Sequence, residues 1–564
     1  MKKKQFLKTT LLALVLTLGG ATTAWAEEVE CATIDAVNTA IGTLTDDGAE
    51  LVIKLTSSDT YSGEIKFPKG TQGGHLITIK AADNTTVTWA GKLSANNWNP
   101  TDGNGFIFDG IIIQPSGNNF TDWLSKAGNI TQLTFRNCEI TQGTSYFRIY
   151  DGNSAKTIDL ISFDNCKIHG ISESLLITTT HVVKAVSVTN CILYNYQGDH
   201  FFKANSAAAS DQGFTFTFTN NTVYQFMNIS SRGYFVEAVV TDGYNDANTT
   251  YTIKDNVIAG YYGYTTDGNN SFKLVRANKG TAYVNNNILL GFNTSDRSQW
   301  FWQVDSKPVL NYGDGHNYPI DGALSSTFGF ASDTAVPFTD AANGDFTINL
   351  NNYPAFATAS TVGTPLGAPS TWKYTWNSGT AKAGTLILPY EANIPEGVSA
   401  YTLTYTSGDA ATATKITTGV LPANTPVLLN AEASTSYIFT STGTVPNAAP
   451  ADLVEGAMHG TYSSATLTSA SNAYVLQNGG DGLGFYKVGA TDITVPAYRA
   501  YLVAQGEAHV LTIDFGNGDV TSIREIANSQ KPLANSQYYD LQGRKVAQPT
   551  RGLYIVNGKK VVIK

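Results

Sequence analysis

Three cations and a set of aromatic residues recur at related positions of the sequence and could bind a sugar polymer. Arg148, Lys203 and Lys273 each follow a large apolar residue, so the period of two in a β-strand predicts that they point outward. Cations pair with carboxylate or sulfate groups, and flat aromatic faces suit sugar rings. The predicted ligand-binding residues are Arg148, Lys203, Lys273, Tyr146, Tyr234, Trp300 and Trp302. The alternative interpretation is an ordinary solvated sheet face with tyrosines in its loops.

Asp199, His200 and Lys203 form the best candidate cluster for acid–base chemistry, because a carboxylate, an imidazole and an amine lie close together in the chain. His200 and Lys203 are therefore weak catalytic candidates, and polar residues on a turn are the simpler interpretation. His169 and His181 have no partner that the sequence reveals. We predict no metal site and no cofactor.

An internal repeat carries these residues. Six segments align without gaps, each with an alternating strand, an Asn-rich bend and a short apolar strand. They are residues 135–140, 163–168, 188–193, 218–223, 253–258 and 284–289. A repeat of this kind predicts the coils of a parallel β-helix, in which each coil pairs only with its neighbours.

The bend of each coil predicts a ladder of side-chain amides. Stacked coils lie roughly 4.8 Å apart, so each amide can donate to the amide of the next coil and accept from that of the previous one. The ladder comprises Asn137, Asn165, Asn190, Asn220 and Asn286, with Asp255 interrupting it.

Three of the four cysteines follow the bend and should stack in a second column. These are Cys138, Cys166 and Cys191, and the column continues as Asn221, Asn256 and Asn287. Side chains stacked in parallel register have poor geometry for disulfides, so we predict buried, reduced thiols. A metal or redox site is the alternative interpretation.

A further column predicts the face that carries the cations. Its inward positions are Phe147, Leu176, Phe202, Phe235, Phe272 and Phe301. The outward positions then read Arg148, Ile177, Lys203, Val236, Lys273 and Trp302. The loop before this column lengthens toward the C-terminal coils, and we expect it to wall a groove.

The remaining sequence sets the boundaries. Residues 1–26 have the basic start, short apolar core and Ala-Trp-Ala end of a cleaved signal peptide. Residues 27–330 are the predicted β-helix with an amphipathic N-terminal cap, 331–370 a closing segment and linker, 371–520 a β-sandwich-like module, and 521–564 a tail. The net charge of −9 argues against nucleic acid as a partner, and no segment is long and apolar enough to span a bilayer as a helix.

Three parts of the chain resemble known families. Residues 65–91, with the strand patterns 76–81 and 87–91, resemble the opening coils of secreted pectate-lyase-like proteins of the chondroitinase B and alginate lyase type. The later coils, and the motifs at 343–347 and 362–365, are similar to an uncharacterised family of secreted β-helix domains in Gram-negative bacteria. The tail, at 539–546 and 552–560, resembles a type IX secretion sorting domain, although a plain terminal hairpin is the alternative.

The resemblance implies an all-β fold with a right-handed parallel β-helix, a β-sandwich-like module and a C-terminal hairpin tail. It also implies export to the cell exterior or outer-membrane surface of a Gram-negative bacterium, with the tail engaging the secretion machinery. We expect a protein that binds polysaccharide, acidic glycans included, without clear catalytic machinery. The alternative is a polysaccharide lyase on an acidic glycan, the only case in which Ca²⁺ would be expected. The acidic metal motif of those lyases is not visible here, so no catalytic residue is transferred.

Overall fold

We analysed a computed structural model, which describes a defined part of the chain. The described residues are 27–45, 47–68, 73–94, 102–115, 119–122, 128–141, 146–149, 156–172, 176–178, 182–198, 200–204, 213–226, 234–238, 248–261, 273–277, 281–285, 288–290, 301–303, 311–312, 338–351, 367–368, 370–443, 456–480, 482–515, 538–540, 542, 544–546, 552–556 and 559–563. The predicted signal peptide lies outside these residues. The chain divides into two units, one of residues 1–373 with 443–447 and one of 374–442 with 448–564.

The first unit is a parallel β-helix, as the repeat predicts. Its first face, sheet A, pairs one strand from each successive coil in parallel. The strands in order are Glu27–Cys31, Leu51–Leu55, Leu76–Ala81, Asn104–Asp109, Ile130–Arg136, Thr157–Asp164, Ala185–Thr189, Thr215–Thr219, Thr250–Lys254, Thr281–Asn285 and Asn311–Tyr312, with Val182–Val183 beside Thr157–Asp164.

Two further faces meet at the strand Thr88–Ser94. Its first half pairs with Ile112–Pro115 and its second half with Asn119–Asp122, and Thr60–Lys66 pairs along its whole length. Sheet B continues from Ile112–Pro115 through Glu139–Thr141, Lys167–His169, Ile192–Tyr196, Thr222–Phe226, Val257–Tyr261 and Ile288–Leu290. Sheet C continues from Asn119–Asp122 through Tyr146–Ile149, Leu176–Thr178, His200–Ala204, Tyr234–Ala238, Lys273–Ala277 and Phe301–Gln303.

The inward residues of the coils form one continuous core, because neighbouring coils stack the same kind of side chain. Phe108, Phe135 and Phe163 stack on successive coils, with ring centroids 5.3 and 5.0 Å apart and nearly parallel planes. The helix Ile34–Gly42 packs Val37 and Ile41 against this core, and the Thr33 hydroxyl caps its first turn. An amphipathic helix is therefore present in the segment that was predicted to form the N-terminal cap.

The Asn-rich bend joins sheets A and B through a left-handed backbone conformation. Asn137, Asn165, Asn190 and Asn220 have φ between 51° and 58°, a conformation that Asn tolerates better than most residues. The Asn165 amide donates to Asn137 Oδ1 at 2.7 Å, and the Asn220 amide donates to Asn190 Oδ1 at 2.8 Å. The predicted ladder is present.

Two details of the ladder differ from the prediction. Each amide donates to the preceding coil instead of the next one, and Asn190 donates to Asp164 Oδ1 at 2.8 Å instead of to Asn165. Asp164 can replace the neighbouring amide because a carboxylate offers more acceptor sites than an amide oxygen. Asn286 lies outside the described residues.

The second unit is also built from β-strands. Its largest sheet is mixed and runs in the order Ala383–Leu386, Val427–Ala431, Val398–Ser407, Ala410–Lys415, Val510–Asp514, Gly482–Lys487, Ala473–Gly479, Arg499–Val503 and Met458–Thr461. Other strands are Trp372–Asn377, Ala392–Asn393, Val420–Leu421, Ser436–Thr440, Ala465–Leu467 and Ile493–Val495. The tail strands Tyr538–Tyr539, Lys545–Val546, Gly552–Val556 and Lys559–Ile563 form an antiparallel sheet.

Candidate functional site

The strand register of sheet C shows which of the predicted ligand-binding residues share a column across neighbouring coils. Lys203 pairs with Ile177 on the preceding coil, as predicted, but with Glu237 on the following coil instead of Val236. Glu237 in turn pairs with Arg276, and Arg276 with Trp302. The predicted column of cations on alternate coils is therefore wrong.

The corrected column alternates in charge and ends at an aromatic residue. Lys203, Glu237, Arg276 and Trp302 occupy one register position on four successive coils. With about 4.8 Å between coils, the column extends over roughly 14 Å. Two cationic side chains, one carboxylate and one indole are groups that proteins use to hydrogen-bond and stack on sugars. This column is the candidate binding site.

The second register column of sheet C contains the acid–base candidate. His200 pairs with Tyr234, and Tyr234 with Lys273. The His200 side chain is buried, and the Tyr196 hydroxyl donates to the His200 carbonyl. A buried imidazole cannot contact a polymer on the outer face without rearrangement, which weakens His200 as a catalytic residue. Asp199 lies outside the described residues.

The predicted register holds at the strand His200–Ala204 and fails at Tyr234–Ala238, where the buried Val236, and not Phe235, pairs with Phe202. Phe201 and Phe202 are adjacent, yet both are fully buried. Phe201 packs edge-on against Phe163, and Phe202 stacks on Phe214 with ring centroids 5.1 Å apart. The inside–outside alternation breaks at Phe201, but Phe202 keeps its predicted inward position, so the one-residue slip enters only where Phe235 was taken in place of Val236.

The other predicted ligand-binding residues have different outcomes. Tyr146 and Arg148 lie in the strand Tyr146–Ile149, where Ile149 pairs with Leu176, so Arg148 does not share the column of Lys203. Trp300 lies outside the described residues, as does most of the loop predicted to wall a groove.

The outer face of sheet B carries a cluster that the sequence reading missed. His169 Nε2 lies 3.0 Å from Glu139 Oε1, and the His169 ring stacks on Tyr194 at 4.7 Å. Burial, with a smaller contribution from the Glu139 charge, raises the pKa of Tyr194. The repeat alignment contained the signal, since Glu139 and Thr141 correspond to Lys167 and His169 on the next coil.

The closing segment, residues 338–351 and 367–368, covers this cluster. The Asn195 amide donates to the Ala342 carbonyl at 3.2 Å, and Phe346 packs edge-on against Tyr194. Further along, the Ala368 amide donates to Thr222 Oγ1 at 3.0 Å. Polymer access to this part of sheet B is therefore restricted by the protein's own chain.

The cysteine column is structural. Cys138, Cys166 and Cys191 are buried and free, as predicted. The thiols of Cys138 and Cys166 donate to carbonyls of the preceding coil at 3.3 Å, and burial raises their pKa well above the usual range. Asn221 makes the equivalent bonds two coils after Cys166, donating to Val188 O at 2.9 Å and accepting from Cys191 N at 2.8 Å.

The described residues contain neither a candidate metal site nor a helix that could span a membrane. No group of three or more His, Cys, Asp or Glu side chains there could hold a metal ion. Over the same part of the chain, no helix is long and apolar enough to cross a membrane.

Comparison with known proteins gave no relative. No family model, no curated protein and no solved structure matches the chain.

Proposed function

We propose that the chain is an exported protein that binds polysaccharide along the outer face of sheet C, without clear catalytic machinery. The observation that carries the proposal is the register column of Lys203, Glu237, Arg276 and Trp302. Residue types that donate, accept and stack share one register position on successive coils, an arrangement that suits the extended shape of a sugar polymer.

The two faces differ in accessibility, and the difference favours sheet C over sheet B as the binding surface. The closing segment covers the His169 and Tyr194 region of sheet B through direct contacts. Lys203 of sheet C is partly exposed. In this proposal a polymer lying across the coils contacts several side chains of the column, each contributing roughly 1 kcal/mol or less.

The charges in the column alternate between positive and negative, and this changes which glycans we expect to bind. A single carboxylate between two cations lowers the net positive charge of the face, so recognition relies on hydrogen bonds and stacking more than on charge. Neutral glycans are therefore expected among the ligands together with acidic ones. Binding to an acidic glycan should weaken with salt, because exposed charge pairs are screened.

A glycan array probed with the mature chain, residues 27–564, tests this proposal. Each glycan that binds is then titrated against Lys203→Ala and Trp302→Ala, and both variants should weaken binding. Lys184→Ala and Tyr283→Ala are matched controls, because Lys184 and Tyr283 are exposed residues associated with sheet A. Absence of any glycan ligand, or full affinity in both sheet C variants, would contradict the proposal.

A polysaccharide lyase acting on an acidic glycan is the second candidate. The register position of Glu237 between Lys203 and Arg276 favours it, because a carboxylate beside cations suits proton transfer at an acidic sugar. Ca²⁺ would be its only expected cofactor. A new ultraviolet absorbance from unsaturated products, lost in Lys203→Ala, would favour the lyase over the binding protein.

The export assignment belongs to the same proposal. The basic and apolar N-terminus and the tail strands that resemble a sorting domain support secretion from a Gram-negative cell. Fractionation of cells expressing the full chain, with and without residues 521–564, tests whether the tail engages the secretion machinery. Retention of both forms inside the cell would contradict it.

A further inference from the structure

The residue types on the outer face of sheet A change along the β-helix, from charged residues to residues with hydroxyl groups. The early coils carry charges there, including the ion pair of Arg136 Nε with Asp109 Oδ2 at 2.8 Å. Three later strands, Ala185–Thr189, Thr215–Thr219 and Thr250–Lys254, instead present short side chains that are mostly hydroxyls. The hydroxyl positions are Ser187, Thr189, Thr215, Thr217, Thr219, Thr250 and Thr252.

The register arranges these hydroxyls on a regular two-dimensional grid. Ser187, Thr217 and Thr252 share one column without any register shift, and Thr215 and Thr250 share another. Columns repeat at about 4.8 Å between coils and at roughly 6.6 Å along each strand. Two fixed spacings on one face are therefore built into the backbone pairing.

Within the described residues, most hydroxyls of the grid have no hydrogen-bond partner. Thr189 donates to Asp164 Oδ1, but the other six hydroxyls form no hydrogen bond with the described part of the chain. Their side chains are exposed or partly exposed. Beneath them, Phe216, Phe218 and Tyr251 are fully buried, so the face is supported by an aromatic core that restricts its movement.

The chemistry of the grid distinguishes between possible ligands. The seven positions themselves contain no charge and no aromatic ring, and the first such residues along their columns toward the C-terminal coils are Lys254 and Tyr283, which border the grid. The seven positions offer hydroxyls that donate and accept, separated by methyl groups, at fixed repeats. The surface of ice needs such a partner, since each oxygen atom of its lattice donates and accepts hydrogen bonds at fixed positions.

We propose that this face of sheet A binds the surface of ice. The free threonine hydroxyls take positions of lattice oxygens, and the methyl groups between them exclude mobile water. The proposal is independent of glycan binding on sheet C, because it uses a different face and different residues.

Slow growth of ice on a cold surface in a solution of the mature chain tests the proposal. The fraction of protein incorporated into the ice is compared with that of a reference protein that ice excludes. The wild type should be enriched in the ice, and Thr217→Lys, which places a long cation in the central column, should reduce incorporation to the reference level. Thr412→Lys is the matched control, because Thr412 is an exposed strand threonine of the second unit.

Circular dichroism establishes that each variant is folded, and Thr252→Lys replaces Thr217→Lys if the latter is not. Exclusion of the wild type from ice, or equal incorporation of wild type and the grid variant, overturns the proposal. Retention of the wild type on microcrystalline cellulose, lost in the grid variant and unaccompanied by ice incorporation, would also overturn it and assign the face to a neutral polysaccharide. Lys203→Ala should leave ice incorporation unchanged.

Discussion

Replacing Asn221 with Ala should destabilise the β-helix locally and strongly. The Asn221 side chain accepts from Cys191 N at 2.8 Å and donates to Val188 O at 2.9 Å, and the residue is fully buried. Alanine leaves both backbone groups without these partners in the core. Each unsatisfied group costs about 1–3 kcal/mol, so the expected loss is about 2–6 kcal/mol.

Hydrogen–deuterium exchange of the peptide that contains Cys191 is the appropriate measurement, because stacked coils need not unfold in a two-state manner. A loss of 2 kcal/mol corresponds to exchange that is roughly 25-fold faster. Asn220→Gly is the matched control, since it keeps the left-handed backbone and removes an amide that is only partly buried. It should cost about 0.5–1.5 kcal/mol.

The variant Asn221→Cys provides a further check on the reasoning. Cys191 Sγ accepts from Cys166 N at 3.3 Å, so a thiol can fill the same position in the column. Asn221→Cys should therefore recover much of the stability that Asn221→Ala loses. Equal exchange rates in Asn221→Ala and Asn220→Gly would refute the account of the column.

Three other results are expected. The thiols of Cys138 and Cys166 should resist labelling in the folded protein. Burial raises the pKa of both thiols, so the unfolded chain loses these protons at a lower pH than the folded chain does. The free energy of unfolding should therefore fall as pH rises above the usual thiol pKa. Labelling at pH 8 without denaturant would contradict the expected resistance. Cys166→Asp should cost about 3 kcal/mol or more, measured by hydrogen–deuterium exchange of the peptide that contains residue 166, because it buries an unpaired charge, whereas Cys166→Asn should be tolerated better. Gly344→Ala should lower the melting temperature more than Gly379→Ala, since both have positive φ but only at Gly344 would the new Cβ lie 2.8 Å from Tyr194 Oη; equal shifts would count against that contact.

The sequence predicted the bend between sheets A and B well. The bend needs a residue that tolerates a left-handed backbone, which favours Asn. The side chain at the next position must form hydrogen bonds with backbone groups of the preceding coil. Few residue types meet these demands, so Asn165 and Cys166 align with their counterparts by type alone. The direction of the amide ladder was not predictable, because an amide can donate either way along a stack.

The register of sheet C was not predictable in the same way. The loops before its strands vary in length, and in the strand Tyr234–Ala238 the prediction took the larger Phe235 as the inward residue, whereas the register gives that position to Val236. A slip of one residue moves every later side chain to the opposite face, which is how Val236 replaced Glu237 in the predicted column. The covering of sheet B depends on the closing segment, far away in sequence, and no local pattern reports it.

Mapping a bound glycan by hydrogen–deuterium exchange tests the central claim most directly. The mature chain is compared with and without the tightest-binding oligosaccharide from the array. The account predicts added protection in the sheet C strands His200–Ala204, Tyr234–Ala238 and Lys273–Ala277. Protection confined to sheet A or to the second unit, with these three strands unchanged, would contradict it.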